Sequence, residues 1–504
     1  MGRINNVTRN LGWGLFNKVV AILMPFVTRT AMIYTLGPLY LGLNGLYTSI
    51  LQVLSVTELG ISTAIVYDMY KPIAEGDTKK VCALLNFYKK CYKIIGIIVF
   101  VIGIIVMPFL GHLISGDIPS DINIYLLFLI NLVNIVITYE LFAYKLSLLA
   151  AMQRNDIVSK ISSVVIIIQV ILQLFALLVL KNYYCFTFIL IVVNIINNIA
   201  AFYICKKKYP QFVCKGSVSN EEFSHIKTNV TGMLCTKIGM IVLNSADTII
   251  ISAFLGLKIL GMYQNYYYII NALITGLTIV ASSMIASIGN SVATESIEKN
   301  YKDFKRLNFI YLWLVSWCSI CFLCICKPFM DLWVGTELQF PMEVVALFAI
   351  YFFTYKLNDM VAVYIDACGL WKKTKYIPLL ASIVNLAINL ALVNFIGIYG
   401  ILISTIIAVL LIYDTLLTKK LFENYFENWG NIEKYFLQQL KFIIFTIIGA
   451  TLTYISCKFI PYKGFISLIV DSIICLVVPN VLGIIVWHKN EDFIFACKLL
   501  KKVL

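Results

Sequence analysis

The chain has 504 residues, 61% of them apolar and 13% charged, and a formal net charge of +14. Its mean hydropathy is +0.89, and apolar runs of membrane-crossing length, about 20 residues, recur from end to end. This excludes a soluble domain as the main body. The lack of short alternating segments excludes a β-barrel.

Fourteen helical spans are expected. The first, 11–35, is longer than a signal-peptide core and has no small-residue cleavage site, so it is read as a retained span. The first half continues with 40–68, 94–115, 122–150, 157–180 and 184–204. The second half runs through 229–254, 262–290, 307–330, 342–368, 377–395 and 399–418, and 438–457 and 464–487 follow. Several exceed the hydrocarbon thickness, so tilt or protrusion is expected. Trp13, Tyr34, Tyr40, Tyr70, Trp333, Trp371 and Trp487 lie near span ends and read as interfacial anchors.

Charge sets the orientation. Of 40 Lys and Arg, 30 fall on one alternating set of connections, five on the other and five inside spans. The positive-inside rule then places both termini in the cytoplasm. The excess charge forms a cytoplasmic rim facing anionic lipid, and nucleic acid is not needed to explain it.

The bend LGPLYLGLNGLY (36–47) returns as LGLKILGMYQNY (255–266), 219 positions later. At this offset Lys18 falls on Lys237, Ala74 on Ala293, Lys80 on Lys299 and Tyr92 on Tyr311. Six spans separate the copies. Six is even, so the halves run in the same direction, related by an axis along the membrane normal. The expected fold is all-α and polytopic. It comprises an N-terminal lobe (1–204), a basic cytoplasmic linker (205–228), a C-terminal lobe (229–418) and an extension with two further spans (419–504).

A charge at mid-span costs on the order of 3 kcal/mol, so each one needs a reason. Lys18 and Arg29 are 11 residues apart, within about 20° of each other around a helix and ~16 Å apart along it. Asn10 and Pro25 lie near that stripe. Lys237 shares a face with Asn244. Asn44 in span 2 and Asn271 in span 8 belong to further polar stripes. If these faces meet, Lys18, Arg29, Lys237, Asn244, Asn44 and Asn271 line a wet, cationic cavity. The alternative is that Lys18 and Lys237 snorkel to the interface and that Arg29 pairs with Glu58.

Glu58, Glu140, Asp247 and Asp359 are candidates for coupling to a proton or sodium gradient. Pairing of Asp359 with Lys356 is the competing reading. Asp366, Asp414 and Asp471 are placed near a water interface, and Lys145 is expected to snorkel. Cys318, Cys321, Cys324 and Cys326 are spaced somewhat like an iron–sulfur run but lie inside a span, so apolar packing is expected and no metal or cofactor. No His- or Cys-based catalytic constellation and no phosphate-cradling glycine loop is present, so an enzyme is not expected.

The opening RNLGWGLFNKVVAILMPFVTRTAMIYTLGPLYLGLNGLYTSILQVLSVTELGISTAIV contains R-T-x5-L-G-x3-L-G-x3-L-Y at Arg29–Tyr47 and then E-L-G-I at Glu58–Ile61. With two six-span lobes and two appended spans, the chain resembles the polysaccharide transporter branch of the multidrug/oligosaccharidyl-lipid/polysaccharide exporter superfamily. The resemblance implies a bacterial plasma-membrane flippase for a polyprenyl-diphosphate-linked oligosaccharide, working by alternating access around a basic cavity. It implies a polysaccharide polymerase and glycosyltransferases as partners. Lysines at 18 and 237 stand where several relatives favour arginine, which gives up bidentate phosphate binding. Rival expectations are a peptidoglycan-precursor lipid flippase, a cation-coupled multidrug exporter and a non-transporting scaffold.

Overall fold

A computed structural model describes residues 2–55, 61–427, 429–459 and 464–503. All regular structure among the described residues is helical. The helices of the first half are α1 (Gly2–Thr35), α2 (Pro38–Leu54), α3 (Ile61–Glu75), α4 (Thr78–Val106), α5 (Ile124–Glu140), α6 (Ala143–Ala151), α7 (Asn155–Leu178) and α8 (Tyr183–Lys208). Next come α9 (Asn220–Ile250), α10 (Leu257–Thr294), α11 (Ile297–Trp333), α12 (Met342–Lys356), α13 (Asp359–Ala367) and α14 (Trp371–Thr374). The chain ends with α15 (Ile377–Ile396), α16 (Ile398–Ile407), α17 (Thr415–Asn424), α18 (Ile432–Lys458), α19 (Phe465–Trp487) and α20 (Glu491–Val503).

Among the described residues, 12 helices are long and apolar enough to cross a membrane, or 13 if one bent pair counts as a span. The sequence pattern predicts fourteen. The difference lies in two places. Expected span 40–68 is divided between α2 and α3, and residues 56–60, with Glu58, lie outside the described residues. Expected span 122–150 breaks into α5 and α6, bent by 48°. Phe142 at that break has a left-handed φ of 57°, which ends one helix and re-aims the next without proline or glycine.

The chain divides into two compact units, Met1–Gly261 and Met262–Leu504. In the first, α1 packs along α7, and α9 packs on α2 and α3. The α1–α7 seam is polar at its start. Asn10 donates to the Gln153 carbonyl (3.1 Å) and accepts from the Asp156 amide (2.9 Å), while Asn17 donates to Ser163 Oγ (3.0 Å). Asn10 therefore ties α1 to the start of α7. Asp156 is fully buried and held by Arg9 (3.1 Å) and Arg154 (2.9 Å).

In the second unit α11 is the hub, packing against α12, α18, α19 and α20. Two expected interfacial anchors lie inside it. Trp487 is buried among Phe309, Phe442 and Phe445, and Trp333 is buried at the end of α11. An indole at a span end packs inward when a neighbouring helix offers aromatic surface.

The sequence repeat has a structural basis at three levels. Gly37 and Gly256, 219 residues apart, both take positive φ (96° and 87°) and both start a helix, where a side chain would be strained. Asp77 caps the Lys80 amide (2.9 Å), and its counterpart Ser296 caps the Lys299 amide (3.3 Å). Tyr47 donates to the Ile124 carbonyl (2.8 Å), and its counterpart Tyr266 accepts from the Phe340 amide (3.1 Å), so each ties its bend to the start of a later helix.

The two bends also touch within the first unit. A Cβ on Gly42 would lie 2.1 Å from the Leu257 carbonyl oxygen, and one on Gly261 would lie 2.3 Å from that of Pro38. Pro38 and Leu257 are themselves 219 apart, so the contact is reciprocal. Small residues allow such backbone approach between membrane helices.

Candidate functional site

The first unit holds most of the expected substrate contacts. Lys18 is exposed on α1, and Arg29, further along the same stripe, is half-buried. Lys237 and Asn244 are half-buried on α9. Asn44 is half-buried on α2, where its carbonyl accepts from Thr48 (2.8 Å). Asp247, one turn beyond Asn244, is buried, and Ser245 beside it reaches Gln52 of α2 at 3.5 Å. Asn271 is exposed on α10 in the second unit.

Lys145 does not snorkel. It is buried, and its ammonium donates to the Phe212 carbonyl at 3.2 Å, pinning the segment after α8 to α6. A lysine near a span end finds a carbonyl more cheaply than it reaches water when an irregular segment passes over it.

The second unit holds a buried polar centre where span 10 breaks between α12 and α13. Lys356 is 2% exposed and donates to Asp359 Oδ2 (2.6 Å) and to Thr278 Oγ1 (2.8 Å). Tyr311 donates to the same Asp359 oxygen at 2.5 Å. Beside the break, Asn358 donates to the Asp414 carbonyl (3.1 Å) and accepts from Thr418 (3.1 Å) and Tyr435 (2.7 Å). Asp414 ends a π-helical turn, Ala408–Asp414, a local irregularity common at functional sites. It is 4% exposed, and its Oδ2 has no hydrogen-bond partner among the described residues. Asp471 is also buried. Asp414 and Asp471 are thus both enclosed by protein, while Asp366 is exposed and accepts from the Trp371 indole (2.9 Å).

Asp359 minus 219 is Glu140, and Lys356 minus 219 is Ile137. Both halves thus place a carboxylate at the break of the fourth span. Glu140 is exposed at the end of α5 and has no charged partner among the described residues.

Sequence reasoning missed a second buried network. Asn385 donates to Thr405 (2.8 Å), Asn389 donates to Asn385 (3.2 Å), and Ser404 donates to Asn389. The signal was NLAIN, an i,i+4 pair on one face of α15, facing STI on α16. A groove of about 510 Å3 bordered by Leu172, Phe175, Tyr184 and Phe188 has an apolar lining. It offers nothing to neutralise a phosphate.

Many long apolar helices with charges retained among them make this a polytopic membrane protein with groups suited to transport. The family model described as "Polysaccharide biosynthesis protein" matches residues 7–288, and the chain belongs to that family, within the multidrug/oligosaccharidyl-lipid/polysaccharide superfamily. No curated protein matches significantly. Among solved structures, the fold is similar to lipid II flippase MurJ in an inward closed conformation, at 14% identity and TM-score 0.70, covering 95% of this chain and 99% of that one. It is also similar to an inward-facing multidrug resistance MATE family transporter, at 12% identity and TM-score 0.63, covering 79% and 93%. A mutant of the Vibrio cholerae MATE transporter VcmN matches at 14% identity and TM-score 0.56, covering 83% and 97%.

Proposed function

We propose that the protein is a flippase moving a polyprenyl-diphosphate-linked oligosaccharide from the cytoplasmic to the outer face of a bacterial plasma membrane. The observation that carries this reading is the cationic stripe of Lys18 and Arg29 on α1, with Lys237 at the equivalent place on α9, in a chain of the polysaccharide biosynthesis family. The lipid tail stays in the bilayer. The diphosphate and sugars must cross ~30 Å of hydrocarbon, which needs positive charge and hydrogen-bonding groups. Lys18, Arg29 and Lys237 take the diphosphate, and Asn44 and Asn244 take sugar hydroxyls. A polymerase and glycosyltransferases would act on either side of the step, and both termini are assigned to the cytoplasm.

Coupling to a proton or sodium gradient falls to the carboxylates in the spans, with Asp359 and Glu140 at equivalent breaks and Asp247 and Glu58 as further candidates. Mass spectrometry of lipids from a deletion strain tests the substrate class. Accumulation of polyprenyl-diphosphate oligosaccharide supports it. Accumulation of peptidoglycan precursor instead would favour the rival reading, to which the MurJ-like fold lends weight.

A further inference from the structure

The thiols of Cys324 on α11, Cys457 on α18 and Cys475 on α19 meet in the second unit, their sulfur atoms within 4.8 Å of one another. They come from three helices, and the last two are the pair appended after the twelve-span repeat. Cys324 and Cys475 are buried, in a cluster with Ile320, Ile325 and Ala450. Cys475 lies ten residues into α19, ~15 Å from its start along the axis, well inside the hydrocarbon depth.

A carboxylate joins them. Asp471, one turn before Cys475 on the same helix, is buried and accepts from Ser467 (3.1 Å). An aspartate at this depth, among thiols and aliphatic side chains, is not explained by packing. The backbone around Cys475 is also held in place, because its carbonyl accepts from the Trp317 indole (2.9 Å) and lies 3.8 Å from the Cys321 sulfur. Bonds of about 2.3 Å from a d10 metal ion to sulfur hold thiolates roughly 4 Å apart, so closing around such an ion needs a contraction of under about 1 Å.

We propose that Cys324, Cys457 and Cys475, with Asp471 beside them, form a binding site for a thiophilic d10 cation, Zn(II) or Cu(I), that clamps α18 and α19 to α11. As the ion binds, the three thiols release three protons to solvent and become thiolate ligands. Zn(II) draws its fourth donor from Asp471 once that carboxylate turns from Ser467 toward the sulfurs, and Cu(I) is held by the three sulfurs alone.

The test uses the full-length protein, reduced and purified in detergent. It is titrated with Co(II) as a stand-in for Zn(II), and separately with Cu(I) against a chromophoric chelator. One equivalent per chain is expected, with sulfur-to-cobalt charge-transfer absorption in the Co(II) arm if Zn(II) is the ion held. Cys475→Ser should weaken binding at least tenfold. Cys457→Ala, at a half-buried position, should do the same and serves if the first variant does not fold. Asp471→Asn should weaken Co(II) at least tenfold and leave Cu(I) unchanged. Failure of both metals to bind at one equivalent, binding that persists in the cysteine variants, or a trio that forms a disulfide in place of taking up metal overturns the site.

Discussion

Glu140 and Asp359 occupy the same place in the two halves, yet their surroundings are opposite. Asp359 is closed off by the Lys356 ammonium and the Tyr311 hydroxyl. Glu140 is exposed, and Ile137 stands where the lysine would be. The scaffold is duplicated while the charge is not. The bends, the helix caps at Asp77 and Ser296 and the tyrosine anchors at Tyr47 and Tyr266 repeat because they close the same turns. One open carboxylate and one neutralised carboxylate give the two halves different electrostatic tasks.

The largest effect should come from breaking the closed pair. Lys356→Met leaves the half-buried Asp359 carboxylate without its ammonium and should cost about 2–4 kcal/mol, somewhat less than for a fully buried pair, read as a fall in unfolding temperature in detergent. Lys356→Met with Asp359→Leu should recover most of that loss. A single variant as mild as the double would mean that the pair carries no buried charge.

The repeated bends should respond alike. Gly42→Ala and Gly261→Ala each push a methyl group into a carbonyl and should each cost about 1–3 kcal/mol. Clearly unequal losses would break the reciprocity of the contact.

A smaller effect is expected from giving Glu140 the partner it lacks. Ile137→Lys should change stability by no more than about 1 kcal/mol, because Glu140 is exposed and position 137 only half-buried. It should lower transport if the open carboxylate serves coupling, which flux in proteoliposomes under an imposed proton or sodium gradient measures. Unchanged flux would remove Glu140 from the coupling candidates.

The smallest effect concerns equivalent lysines. Lys80 pairs with Glu222 (2.6 Å), whereas Lys299 pairs with Glu295 on the preceding turn (2.5 Å). The side-chain hydrogen bond from Lys80 holds the Glu222 carboxyl below its ordinary value of 4.5. Its contribution is therefore full above pH 4.5 and is lost as pH falls through the lowered value. The pair is partly exposed, so about 0–1 kcal/mol is expected. Glu222→Gln should flatten the acid side of the stability profile by that amount.

Most of the spans and the repeat itself were legible because apolar length and the 219-residue offset are linear properties of the chain. The breaks were not. Nothing in YELFAY announces that Phe142 turns left-handed, and nothing in YKLNDM marks the gap between Lys356 and Asp359. Packing imposes both. The Lys18–Arg29 stripe follows from helical spacing alone, but the tie from Asn10 to the start of α7 did not show, because its partner is 146 residues away. The thiol trio was invisible for the same reason. The sequence showed Cys324 among its neighbours on one helix, while its companions Cys457 and Cys475 lie more than a hundred residues on.

The central claim is that Arg29 and its neighbouring lysines carry the diphosphate. The most direct measurement is flipping of a fluorescent polyprenyl-diphosphate oligosaccharide in proteoliposomes, comparing the unaltered protein with Arg29→Ala at equal incorporation. The account predicts that the unaltered protein moves the lipid and that Arg29→Ala loses at least tenfold in rate while unfolding at a similar temperature. Equal rates for the two would contradict it.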